Sequence, residues 1–290
     1  MYRWLACLLL LSSAAASAPE RTVIHEDLAY ADTGNAAHTL HLLLPHQAAK
    51  PVPLVISLHG GGWNRGSKDH ALALLAPLVV HGEIALASVG YRLSGEAVWP
   101  AQLDDVTAAY HWFVENAAAY GIDSSRIAVF GVSAGGHLAM MLGTQPEPDI
   151  AAVISVAGPT DLTTIADEPS RVDHASPRSI GAQLVGGALA KHQEAARAAS
   201  PAAFIDGSEP PHLLFHGDLD RTIPFAQSAD FDAALDKAGA ASTLIQIAGA
   251  DHGDRMPWAQ IRELTSLYLS AVFASLEPPL TDLTIPYAAR

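Results

Sequence analysis

Ile127-Ala128-Val129-Phe130-Gly131-Val132-Ser133-Ala134-Gly135 reads as a short apolar strand that runs straight into a glycine-serine-glycine turn, and the residues after it suit a helix. A turn this tight needs glycine on both sides of the serine, because a β-carbon at either place would collide with the backbone. The result holds a serine hydroxyl above a sheet, at the positive end of the following helix. A chance glycine turn could give the same five letters. The strand before it and the helix after it favour a nucleophile elbow.

On either side of this stretch, short apolar runs alternate with helical ones. Val23 to Tyr30 and His38 to Leu44 form a strand pair around the Asp32-Thr33-Gly34-Asn35 turn. Leu54 to Leu58, Ile84 to Val89, Ala152 to Val156, Leu213 to Phe215 and Leu244 to Ile247 continue the series. Runs that are apolar on both alternations suit strands covered on both faces. Helices are expected over 69–81, 100–120, 137–142, 224–238 and 258–274. In the second of these Leu103, Val106, Ala109, Tyr110, Phe113 and Val114 are spaced for one face. The alternation implies a single α/β domain with a mostly parallel central sheet and helices on both faces. Thr163 to Ser200, with Pro169, Pro177, Gly181, Gly186 and Gly187, fits this pattern least. It is expected to be a small insert over the site, a mobile flap with few large apolar residues above an open cleft.

A serine needs an oxyanion hole, an imidazole and a carboxylate. His59-Gly60-Gly61-Gly62-Trp63 follows a strand run, and its glycines can turn backbone N–H groups toward an anionic oxygen. A phosphate cradle would need the lysine-serine ending of a P-loop, which does not follow. The N–H groups of Gly61, Gly62 and Ala134 are the oxyanion candidates, and His59 is read as shaping the loop. In this arrangement the acid and then the histidine follow later strands. The acid is sought in His216-Gly217-Asp218-Leu219-Asp220, where Asp220 is preferred. Asp218 is read as bracing the turn, and Asp161 is held in reserve. The base is His252, in the small-residue loop Gly249 to Asp254. Fourteen histidines make any one of them unremarkable; position after the last expected strand singles this one out. No H-E-x-x-H or comparable spacing points to a metal, and no cofactor is expected.

Composition bounds the partners. The 290 residues are 50% hydrophobic with a formal charge of −14, which argues against nucleic acid and anionic membrane surfaces. Residues 1–18 have a charged start at Arg3, an apolar run from Leu5 to Leu11 and small residues to Ala18. That is the layout of a secretory signal peptide, too short to span a membrane. The catalytic domain then runs from 19 to 290, and the mature protein is expected outside the cytoplasm, periplasmic or secreted, without a membrane anchor. Cleavage fits after Ala16 or Ala18, and Pro19 disfavours the second. The single cysteine, Cys7, lies in this leader. It precedes most of the apolar stretch, where a lipoprotein cysteine would follow it. The mature domain then has no thiol or disulfide chemistry.

Several motifs together resemble one family. They are His-Gly-Gly-Gly-Trp at 59–63 with Arg65-Gly66-Ser67-Lys68; Tyr91-Arg92-Leu93-Ser94 with Trp99-Pro100-Ala101-Gln102; Tyr120-Gly121-Ile122-Asp123; Gly131 to Ala139; Gly158-Pro159-Thr160-Asp161-Leu162; and Ala199-Ser200-Pro201. With the Asp220 and His252 loops, they resemble the α/β-hydrolase carboxylesterases related to hormone-sensitive lipase, most of all the bacterial feruloyl-esterase-like (BD-FAE) group, over about 25–275. The resemblance implies the α/β-hydrolase fold and the triad Ser133, Asp220 and His252. It also implies short-acyl or aromatic-acid esters as substrates, acetyl or feruloyl groups on plant polysaccharide included. Val132 replaces the serine common in that group. Trp63, Tyr91, Trp99 and Trp258 are candidate walls of the substrate pocket. An arylformamidase-like amidase is the runner-up, and a non-catalytic binding module on the same fold is a rival from another class.

Overall fold

The computed structural model describes residues 22–46, 50–79, 84–253 and 256–287. The leader expected over 1–18 therefore lies outside the described residues. Among those described, no helix is long and apolar enough to cross a membrane.

In chain order the elements are β1 (Thr22–Ala29), β2 (Thr39–Pro45), β3 (Val52–Leu58), α1 (Lys68–Leu75), β4 (Ala85–Val89), α2 (Ala101–Tyr120), β5 (Ile122–Val132) and α3 (Ala134–Gly143). Next come β6 (Ala152–Val156), α4 (Ile180–Val185), α5 (Gln193–Ala198), β7 (His212–Gly217), α6 (Phe225–Ala238), β8 (Ser242–Ala248), α7 (Trp258–Phe273) and β9 (Leu283–Pro286). The nine strands among the described residues form one sheet in the order β1-β2-β4-β3-β5-β6-β7-β8-β9. Among the described strands β2 alone runs opposite to the other eight; every pairing from β4 to β9 is parallel. This is the α/β-hydrolase architecture.

The doubly apolar strands explain the layering. On β3, Leu54, Ile56 and Leu58 pack toward α2, α3 and α6, and Val55 packs toward α1 and α7. On β5, Ile127 and Val129 take the first face while Ala128 and Phe130 take the second. Each central strand thus removes both its faces from water, at about 25 cal/mol for every Å² of apolar surface. On α2, Val106, Ala109, Tyr110 and Phe113 are buried as expected, and Gly121 ends the helix in the left-handed conformation with φ 66°. Val114 departs from the expectation: it is 41% exposed, because the 100° step after Phe113 carries it off the inward stripe.

Two further expectations are corrected. The strand β9 was not anticipated; its four residues alternate between exposed and half-buried at the sheet's outer edge, and Pro286 closes it. The insert is no free-standing flap. Leu162, Ile165, Leu184, Leu189 and Ala196 join the same buried core as α2 and α3, and the Trp99 N–H donates to Leu184 O at 2.8 Å. Few large apolar residues suffice, since short turns such as α4, capped by Ser179 at the Ala182 N–H, aim each of them inward.

Candidate active site

Ser133 stands between β5 and α3 with φ 54° and ψ −118°, a strained conformation for a residue with a β-carbon. The surroundings hold it there. Its N–H donates to Val156 O at 2.8 Å, and its carbonyl accepts from His137 N at 2.9 Å. The flanking glycines are sterically required. A β-carbon on Gly131 would meet Gly136 N at 2.5 Å, and one on Gly135 would meet Leu58 C at 2.6 Å.

The acid and base arrive from the loops after β7 and β8. His252 Nε2 lies 3.0 Å from Ser133 Oγ, and His252 Nδ1 lies 2.7 Å from Asp220 Oδ2. An ionised carboxylate only accepts, so Nδ1 carries the proton and Nε2 is free to accept from the serine hydroxyl. The Asp220 carboxylate is buried, and its other oxygen accepts from the N–H groups of Thr222 at 2.8 Å and Ile223 at 2.9 Å. Burial pushes its pKa up, but hydrogen bonds from His216 and His252 outweigh this and hold it well below the usual carboxylate range. The group is therefore an anion at neutral pH.

The other aspartates have other partners. Asp218 accepts from Gly249 N at 2.7 Å and Gln246 Nε2 at 3.3 Å, so it braces the neighbouring His252 loop and not its own turn. Asp161 is turned away, bonded to Thr163 N at 2.8 Å. Asp251 accepts from His252 N at 2.8 Å and from the guanidinium groups of Arg171 and Arg221, each at 3.4 Å. This ties the insert to the base's loop.

The glycine loop after β3 runs against the elbow. A β-carbon on Gly60 would lie 2.9 Å from Val132 O and 3.5 Å from Ser133 Cβ. Gly61, Gly62 and Trp63 follow with φ of 117°, 60° and 57°. In the left-handed region, glycine is at ease and Trp63 is not. The N–H groups of Gly61 and Gly62 donate to no acceptor among the described residues. His59 shapes the loop, as read from the sequence. Its Nδ1 donates to Gly60 O at 2.8 Å, its ring stacks on Tyr91 at 4.2 Å, and burial lowers its pKa so that it stays neutral.

The four candidate wall residues divide. Trp63 and Tyr91 are each 2% exposed and engaged within the protein, Tyr91 by donating its hydroxyl proton to His59 O at 2.7 Å. They are framework, not walls, because each is buried and spends its polar group on a partner within the protein. Trp99 is half-buried against His137, with ring centres 5.6 Å apart. Trp258 lines a cavity of about 310 Å³ with His59, Gly60, His70, Leu74 and Val132, next to the elbow but lined by neither Ser133 nor His252. A larger cavity of about 670 Å³, lined by Pro53, Leu78, Arg126 and Phe273, shares no residue with this site. Two residues touching the site went unread in the sequence, His137 and His216. His216 sits in the strand-loop sequence that holds Asp220 and is fully buried, its Nε2 3.3 Å from Asp220 Oδ2 and its Nδ1 2.7 Å from Ser228 Oγ.

Residues 40–235 match the BD-FAE family model, a stretch that includes Ser133 and Asp220 and stops short of His252. The chain belongs to the BD-FAE family. This BD-FAE domain is 31% identical to Esterase LipC of Mycobacterium tuberculosis over 216 residues, 70% of this chain and 53% of that protein. It is 32% identical to Esterase LipQ of the same organism over 66% of this chain and 47% of that protein. It thus spans about half the length of these curated relatives. Among solved structures, a truncated carbohydrate esterase from gut microbiota superposes with a TM-score of 0.80 at 26% identity, covering 89% of this chain and 99% of that one.

Proposed function

We propose that this BD-FAE domain is a serine carboxylesterase that works through an acyl-enzyme. The carrying observation is His252 set between Ser133 Oγ at 3.0 Å and Asp220 Oδ2 at 2.7 Å, on a strained elbow. Ser133 Oγ attacks the ester carbonyl while His252 Nε2 takes its proton. The carbonyl π pair becomes an oxyanion lone pair facing the N–H groups of Gly61, Gly62 and Ala134. Collapse expels the alcohol, which takes the proton from His252. Water, deprotonated by the same nitrogen, then releases the acid and restores Ser133. Asp220 stays ionised throughout and steadies the imidazolium.

The substrate reading is a short acyl or single-ring acid, carried on a small molecule or a polysaccharide. The family resemblance carries the short-acyl part of this reading, and the likeness to a carbohydrate esterase supports a carbohydrate-borne ester. Export, read from residues 1–18, is proposed with it. Hydrolysis of p-nitrophenyl acetate, with loss of activity as a phosphonate labels Ser133, tests the reaction. Wild-type protein that neither turns over the ester nor takes up the label at Ser133 refutes it. N-formylkynurenine as sole substrate would move the assignment to amidase.

A further inference from the structure

His137 lies one turn after the nucleophile on α3 and is completely buried. Its two ring nitrogens reach two different segments. Nδ1 accepts the indole N–H of Trp63 at 3.2 Å, and Nε2 donates to Ala199 O at 2.7 Å. The indole nitrogen can only donate, and the carbonyl can only accept. Both bonds are made together by a single species, the neutral imidazole with its proton on Nε2. The ring also packs edge-on to Trp63, with centres 4.9 Å apart, and to Trp99.

Both partners matter to the site. Trp63 directly follows Gly61 and Gly62 and shares their left-handed backbone, with φ 57°. A bulky side chain stays in that region only when its surroundings over-determine it. Here the indole is anchored to His137, and the Trp63 carbonyl accepts from Ser94 N at 2.7 Å. Ala199 ends the insert, whose Ile180 lies against Gly62, 3.1 Å from where a β-carbon there would stand. The next residue, Ser200, bonds Leu162 N at 2.8 Å and Ala196 O at 2.7 Å, closing the insert's base.

We propose that His137 is the positioning residue of the oxyanion loop, fixing the Gly61 and Gly62 N–H groups against Ser133 through Trp63 and clamping the insert above them through Ala199. The inference rests on the serine-esterase reading. Desolvation holds the imidazole pKa down to about 4, which keeps the required neutral form across the working pH range.

The two bonds separate by substitution. In His137→Gln the amide nitrogen stands where Nε2 stood and keeps the Ala199 bond, but no acceptor is left for Trp63. In His137→Asn the amide oxygen stands where Nδ1 stood and keeps the Trp63 bond, but Ala199 is lost. Trp63→Phe removes the indole donor from the other side. Loss of one oxyanion donor typically costs 10²–10³-fold in kcat; a loop that is loosened but keeps its donors is expected to cost somewhat less. For p-nitrophenyl acetate, with active sites counted by the end-point of phosphonate labelling, kcat per site should fall about 30- to 100-fold in His137→Gln and Trp63→Phe, with KM within about threefold. The double variant should fall no further than either single one. His137→Asn should recover at least a tenth of wild-type kcat while limited proteolysis within 163–200 accelerates. Equal kcat per titrated site in wild type, His137→Gln and Trp63→Phe overturns the proposal, whatever their melting temperatures. So does full additivity in the double variant. Wild-type enzyme without ester turnover or labelling refutes the esterase reading instead, so the two failures are distinct.

Discussion

Replacing Gly135 by alanine would part the two halves of the catalytic apparatus. Elsewhere in a helix interior this change stabilises by about 1 kcal/mol. Here the new β-carbon would collide with Leu58 O, and would lie 2.6 Å from Leu58 C and 2.7 Å from His59 O, where 3.4 Å begins ordinary contact. All three are backbone atoms at the junction of β3 and the glycine loop, so no side chain can swing aside. Relief of the Leu58 C contact alone demands that elbow and loop separate by roughly 0.8 Å, and the Leu58 O contact demands more; a misplacement of about 1 Å in a catalytic array costs about 10²-fold. That is about 2.7 kcal/mol of transition-state stabilisation. Two related substitutions serve as comparisons. In Gly136→Ala the closest atom is Ser155 Oγ at 2.5 Å, a hydroxyl with no partner among the described residues, and the loss should be about tenfold smaller. In Gly143→Ala the closest atom is a Val153 methyl at 2.5 Å, at the far end of α3; stability should fall and kcat per site should not. The assay is p-nitrophenyl acetate hydrolysis per titrated active site, with urea unfolding alongside. Activity of Gly135→Ala within threefold of wild type would refute the reasoning, since the backbone contact would then be relieved without moving the site.

Ser133→Ala and Asp220→Asn should each lower kcat by about 10⁴-fold with the fold intact by circular dichroism; Asp218→Asn should cost far less, and the reverse ranking of the two aspartates would displace Asp220 as the acid. Stability should fall with acid. Burial holds His137 and His212 at about 4, against about 6.5 unfolded, so the unfolded chain binds two more protons between those values and each histidine costs about 1.4 kcal/mol per pH unit as pH drops. Asp232, pushed up to about 6 by burial, already holds its proton when folded and offsets part of this below pH 6. The net loss from pH 7 to 5 is about 3 kcal/mol, and an unchanged urea midpoint would contradict it. Across p-nitrophenyl esters, kcat/KM should peak at acetyl to butyryl and decline by octanoyl, since a longer chain needs an apolar channel to leave water, at ~0.8 kcal/mol per CH₂, and residues 163–200 supply few large apolar side chains to line one; rising efficiency out to decanoyl would show such a channel. N-terminal sequencing of protein from its native host should begin at or near Ser17, and an intact Met1 on cytoplasmic protein would end the export proposal.

The features read correctly from the sequence are those whose physics is local. Gly131 and Gly135 are demanded by a turn a few residues long, and the doubly apolar runs Leu54 to Leu58 and Ile127 to Phe130 announce burial on both faces wherever they lie. The preference for Asp220 over Asp218 likewise agrees with the geometry, since the deeper loop position faces His252 and the shallower one braces Gly249. The strand β9 was missed because four residues at an edge, half of them exposed, carry too little apolar signal.

Fold class and elbow were legible along the chain because steric and periodic rules act within a single strand, turn or helix; the order of serine, acid and base followed from the rule for that fold. Which aromatics belong to the framework emerged only from contacts between distant segments. Trp63 and Tyr91 look like pocket walls until the crossovers bring Trp63 to His137, 74 residues away, and Tyr91 to His59, 32 residues away. The packed insert and the second histidine on Asp220 belong to the same class. Each depends on contacts between segments that only the parallel strand order makes neighbours, and no spacing along the chain encodes such a pairing.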